Sequence, residues 1–197
     1  MVGHSYVKYL QRLGGWDNVV EVLDSGESVK FEFSWLAFPG KDFEYFINNP
    51  AIFQTIKRRN PDIIVTILGG NAITNAVTNE QIKSDARRYF ELQKEACGGN
   101  CLRLAFQVER RFAAENNRFN VPQEHQYNQR RALLNNFLNK SIRKGSGLVH
   151  NIINLGGDDY LNNPNNFSDG VHLKIEGLML YQKIMINGLV YALNHRQ

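Results

Sequence analysis

Six consecutive residues, Ile63-Ile64-Val65-Thr66-Ile67-Leu68, are apolar but for one threonine, and Gly69-Gly70-Asn71 ends them abruptly. The run is far too short to cross a bilayer, which takes roughly 18 apolar residues. Its β-branched content favours an extended backbone, so it reads as a buried strand. A strand buried on both faces needs other elements packed above and below it.

The remaining chain supplies them. Val29-Lys30-Phe31-Glu32-Phe33 alternates with period two and runs toward a Phe38-Pro39-Gly40 turn, predicting a second strand of the same sheet. Phe43, Phe46, Ile47 and Phe53 follow a rough helical spacing over 42–56, with Pro50 breaking the helix or starting another. Thr78 or Asn79 caps a helix reaching about Ala96, with Ile82, Ala86, Tyr89, Phe90 and Leu92 turned inward. Cys101–Phe106 is a further strand candidate. A polar segment (109–122) precedes a helix from about Gln123 to Arg143, and Leu148–Ile153 is the last strand. After a Gly/Asn/Pro-rich loop, a helix over about 174–194 closes the chain. Strands separated by helices build βαβ units, hence an α/β fold with a parallel sheet covered on both faces. The 197 residues fill one medium-sized domain, 1–197, with no internal repeat or linker.

Charge narrows the partners. Lys and Arg number 23 against 19 Asp and Glu, a formal net charge of +4. That balance permits attraction to phosphates. The basic pairs (Arg58-Arg59, Arg87-Arg88, Arg110-Arg111, Arg130-Arg131) are scattered as solvated helix faces usually are, which gives nucleic-acid or membrane binding thin support. The 2 cysteines, Cys97 and Cys101, are too few for a structural zinc. A disulfide across Gly-Gly-Asn is conceivable, but reduced thiols in a cytoplasmic protein are the expectation.

In doubly wound sheets, ligands bind beyond the carboxyl ends of the strands. Gly3-His4-Ser5 follows the first predicted strand, and Ser5 opens a helix whose free first-turn N–H groups favour negative charge. Gly40 follows the second, where the lack of a Cβ lets its N–H approach a ligand. Asn71 follows the third and carries a side-chain donor. Asp169-Gly170-Val171-His172 precedes the last helix, and Asp169 can reach back to orient the His172 ring. A nucleophile, a base, an orienting carboxylate and up to three oxyanion donors are thus present. Singly, each has a plainer reading: Ser5 and Asp169 as helix caps, Asn71 as a turn residue, His172 as a buried core histidine. Gly26 and Gly14-Gly15 compete with Gly40 but precede the second strand.

Val2-Gly3-His4-Ser5-Tyr6-Val7, Leu68-Gly69-Gly70-Asn71 and Asp169-Gly170-Val171-His172-Leu173 resemble the first, third and fifth sequence blocks of the SGNH (GDSL-type) hydrolases. The blocks occur in order and span nearly the whole chain, the last being the most specific. The opening and closing blocks are also similar to esterase domains of animal LINE-type retrotransposon reading frames. The resemblance implies a flavodoxin-like three-layer α/β/α sandwich with a sheet of about five parallel strands. It also implies a serine esterase needing no metal or cofactor. Ser5 matches the nucleophile, His172 the base and Asp169 its partner; Ser5, Gly40 and Asn71 match the oxyanion hole. His4 stands where the family has Asp, Ala72 where its third block often ends in Asp, and the first strand is unusually short. The expected substrate is a small-molecule or lipid ester with an acetyl or short acyl group. A binding module with vestigial catalysis is the alternative. Tyr160, Phe167, Phe112 and Phe119 are candidates to border an acyl pocket.

Overall fold

The computed structural model describes residues 1–75, 78–113, 121–143, 147–154 and 159–195. The first half contains β1 (Val2–Gly3), α1 (Ser5–Leu13), β2 (Val19–Val22), β3 (Ser28–Phe31), β4 (Leu36–Ala37), α2 (Phe43–Ile47) and α3 (Pro50–Arg59). Then come β5 (Ile63–Ile67), α4 (Gly70–Asn75), α5 (Asn79–Cys97), β6 (Leu102–Phe106), α6 (Val121–Arg143), β7 (Asn151–Ile153), α7 (Asp159–Asn162) and α8 (Ile175–Asn194).

Five strands form one parallel sheet in the order β4-β1-β5-β6-β7. Counted among themselves along the chain, they run 2-1-3-4-5, the flavodoxin-like winding. Side chains alternate across the sheet as period two demands. Val65, Ile67, Leu104 and Phe106 face α1 and α8, joining Val7, Leu10, Tyr181 and Met185 in one core layer. Ile64 and Ala105 face the other way, against Phe43, Phe46, Phe53, Tyr89, Phe90 and Leu134 from α2, α3, α5 and α6. The result is helices, sheet, helices.

Local signals explain several boundaries. Pro50 occupies the first turn of α3, where its missing N–H costs nothing, and Asn60 ends that helix in the left-handed region (φ 44°). Thr78 caps α5 by accepting from the Gln81 N–H at 3.1 Å.

The expected second strand is a correction. Residues 28–31 do alternate, but β3 pairs antiparallel with β2 in a separate hairpin, and the sheet strand is the two-residue β4. Alternation reports a half-buried strand without naming its partner, and two residues are too few to show a period. The last strand is also shorter than expected, Asn151–Ile153, with His150 outside it.

Candidate active site

Register brings the functional loops together. Gly3 of β1 lies level with Ala37 of β4 and Ile67 of β5, so three adjacent strands end in one row. Ser5 follows two residues after that row, Gly40 three after and Asn71 four after. Close spacing requires Gly3, because a Cβ there would sit 2.2 Å from the Ile67 carbonyl oxygen.

Asp169 and His172 come from the segment between α7 and α8. The Asp169 carboxylate accepts from the backbone N–H of Val171 (3.0 Å) and of His172 (2.7 Å) through Oδ1, while Oδ2 lies 2.7 Å from His172 Nδ1. Burial pushes the Asp169 carboxyl upward, but the bonds from the His172 ring and the two backbone groups outweigh it and leave the pKa below its ordinary value. The other ring nitrogen, His172 Nε2, lies 3.3 Å from Ser5 Oγ. The chain termini thus meet at one imidazole. With Nδ1–H donated to Asp169, Nε2 is the acceptor facing the hydroxyl.

His172 is held by aromatic neighbours. Tyr9 meets it edge-on at 5.2 Å, and the Tyr6 ring, 6.3 Å away, anchors the loop by donating its hydroxyl to the Val171 carbonyl at 2.7 Å. Beneath, Tyr6 stacks on Tyr181, whose hydroxyl donates to the buried Glu109 at 2.5 Å.

His4 is buried beside the serine, its Nδ1 3.4 Å from Ser5 Oγ. Burial, then the charges of Arg111 and His172, push its pKa down to about 3, so it is a neutral ring at ordinary pH. The serine hydroxyl therefore lies between two imidazoles.

Asn71 sits in the first turn of α4. Its Oδ1 accepts from Arg111 Nη2 (3.0 Å) and its Nδ2 donates to the Lys41 carbonyl (3.2 Å), which leaves one amide hydrogen. Gly40 is exposed in the loop between β4 and α2 with φ 77°, and its N–H has no partner among the described residues. The Ser5 N–H, first in α1, has no intrahelical acceptor.

Sequence reasoning overlooked Arg111. It appeared as half of a scattered basic pair, yet it also bonds Thr74 Oγ1 (2.8 Å) and lies over the Tyr127 ring at 4.7 Å. The available signal was its position in the loop after β6, another carboxyl strand end. Arg130 and Arg131 likewise turn inward, to the Ile73 and Val108 carbonyls, so neither pair forms a free basic stripe. Phe112 and Phe167 are buried and packed on each other at 5.0 Å. Phe119 and the Tyr160 side chain lie outside the described residues. A cavity of about 620 Å³ opens at the opposite end of the sheet, against Val2, Leu36 and Ile63. No three His, Cys, Asp or Glu side chains among the described residues cluster to hold a metal ion. No described helix is long and apolar enough to cross a membrane.

No protein-family model and no curated protein sequence matches the chain. Solved structures do. A family 3 carbohydrate esterase from Clostridium thermocellum is similar with a TM-score of 0.59 at 16% identity, over 98% of this chain and 96% of that one. A GDSL-like lipase from Bacteroides thetaiotaomicron gives 0.58 at 16% identity, over 79% and 74%. The acetylxylan esterase Axe2 from Geobacillus stearothermophilus gives 0.57 at 12% identity, over 92% and 79%. At such identities the likeness establishes the α/β fold of the SGNH hydrolase type.

Proposed function

We propose that this chain is an SGNH-type serine hydrolase acting on carboxylic esters with an acetyl or other short acyl group. The observation that carries the reading is the Asp169–His172–Ser5 relay, 2.7 Å and then 3.3 Å, assembled from opposite ends of the sequence at the carboxyl edge of a parallel sheet. A capping role for Ser5 would not require an imidazole there, and a structural histidine would not need a carboxylate at its far nitrogen.

In this reading His172 Nε2 takes the Ser5 proton as Oγ attacks the acyl carbonyl. Asp169 holds the ring in the matching tautomer and stabilises the imidazolium that forms. The tetrahedral oxyanion is held by the Ser5 and Gly40 N–H groups and by the remaining Asn71 amide hydrogen. The alcohol leaves with the proton from His172; water then repeats the cycle and frees the acid. No step calls for a metal or a cofactor.

The short-acyl preference takes its support from the likeness to an acetylxylan esterase and a family 3 carbohydrate esterase. The inward-turned arginines offer no support for a nucleic-acid-binding reading.

A fluorophosphonate probe tests the proposal together with p-nitrophenyl acetate and longer esters. Stoichiometric labelling, lost in Ser5→Ala along with acetate hydrolysis, is the expected result. Equal labelling of wild type and Ser5→Ala would refute the assignment. Faster hydrolysis of long acyl chains would refute the substrate preference alone.

A further inference from the structure

The five residues of β6 are all buried, and one of them is an arginine. Arg103 is 2% exposed. Its Nε donates to the Leu148 carbonyl (3.3 Å), Nη2 to the Gly147 carbonyl (2.8 Å) and Nη1 to the Cys101 carbonyl (3.4 Å), and Nη2 lies 3.4 Å from His150 Nε2. Each of these partners is neutral or, in the case of the ring, able to be so. No carboxylate among the described residues pairs with this guanidinium. A buried guanidinium keeps its charge, and burying it without an anion is costly.

One acidic group does reach it. Arg103 Nη1 donates to Cys97 Sγ at 3.9 Å. Cys97 ends α5, and the exposed turn Gly98-Gly99-Asn100 brings Cys101 back beside it. Both cysteines are free. The two thiols are unequal: the neighbouring Cys101 thiol, then the Arg103 guanidinium, draw the Cys97 pKa down against the opposing effect of burial, while the Cys97 thiol and burial push that of Cys101 up. One guanidinium nitrogen, Nη1, thus reaches both the Cys97 sulfur and the Cys101 carbonyl, a placement that favours the ionised form of Cys97 over that of Cys101. Cys97 is 6% exposed and Cys101 3%, which favours a small oxidant over a bulky one.

We propose that Cys97 and Cys101 form a peroxide-reactive dithiol, with Cys97 the thiolate held by Arg103 and Cys101 the resolving thiol. In the first step the Cys97 sulfur attacks hydrogen peroxide; an S–O bond forms, the O–O bond breaks, and the departing hydroxide takes a proton to leave as water. In the second step Cys101 gives up its proton and its sulfur attacks Cys97. The S–O bond breaks, and hydroxide leaves with that proton as a second water. Two thiols become one disulfide as one peroxide becomes two waters.

The test uses the full chain, hydrogen peroxide, peptide mapping and dimedone, which traps sulfenic acids. Wild type should yield the Cys97–Cys101 disulfide. Cys101→Ser should stop at a dimedone adduct on Cys97, while Cys97→Ser leaves Cys101 unlabelled at the same exposure. Arg103→Gln should slow disulfide formation at neutral pH by roughly tenfold or more. Should that variant fail to fold, the wild-type rate against pH decides, since its midpoint is expected well below the ordinary thiol value of about 8.5. A midpoint at that ordinary value, labelling of Cys101 in Cys97→Ser, or no intrachain disulfide in wild type would overturn the proposal.

Discussion

His4 makes the stability of this protein depend on pH in a calculable way. Unfolded, its imidazole has the ordinary value of 6.5; folded, burial and the neighbouring positive charges hold it at about 3. Between those values the unfolded chain binds a proton that the folded chain refuses. Stability therefore rises with pH across this window and falls as pH drops below 6.5, levelling near 3. Each unit corresponds to about 1.4 kcal/mol, so lowering pH from 7 to 5 removes about 2 kcal/mol on this account. For a chain of this size, that moves the urea midpoint by roughly 1 M. Carboxylates contribute to acid unfolding too, so the comparison is with His4→Asn, which offers similar hydrogen-bonding atoms but does not titrate. Urea unfolding at several pH values between 7 and 5 should show the wild-type midpoint falling away from that of the variant. Parallel decline of the two would refute the reasoning, as would an NMR titration of the folded His4 ring centred near 6.5.

Three further outcomes follow from the geometry. Asp169→Asn keeps the loop but offers an amide to His172 Nδ1, and kcat on an acetyl ester should fall by roughly 10³–10⁴ with KM little changed; steady-state kinetics reads this. Asn71→Ala removes the proposed side-chain oxyanion donor and should cost on the order of 10²–10³ in kcat, whereas Arg111→Met, which frees the Asn71 amide to turn, should cost less, on the order of 10. Gly188→Ala places a Cβ 2.7 Å from Ile153 Cγ1, and the overpacking should lower unfolding free energy by about 1–3 kcal/mol in urea titration.

The sequence displayed what local chemistry can display. The apolar run at 63–68 announced the central strand because six such residues have few other uses, and Pro50 and Thr78 marked helix starts through their own backbone demands. Asp169 and His172 were readable as a pair because only two residues, Gly170 and Val171, separate them. Their convergence with Ser5 was legible through the strand-end rule and the family resemblance alone, since it depends on where β1 inserts in the sheet, and β1 and β4, at two residues each, carry no periodicity. Arg111 escaped for a related reason, and His4 was legible as a neighbour of Ser5 but not as a buried, neutral ring. Their importance comes from residues far along the chain, the Asn71 amide that Arg111 bonds and the Arg111 and His172 charges that act on His4, which no spacing rule reports.

The position of β1 has a practical consequence. The serine is delivered by a strand wedged between two others, so its hydroxyl meets the imidazole only when β4, β5 and the carboxyl-terminal loop have all docked. The β2–β3 hairpin and the proposed nucleophile report different things: the first can fray unnoticed, while the second registers whether the last gap in the sheet has closed. A covalent phosphonate tag on Ser5 would therefore count finished molecules in a refolding mixture, passing over compact chains that have yet to thread their first three residues.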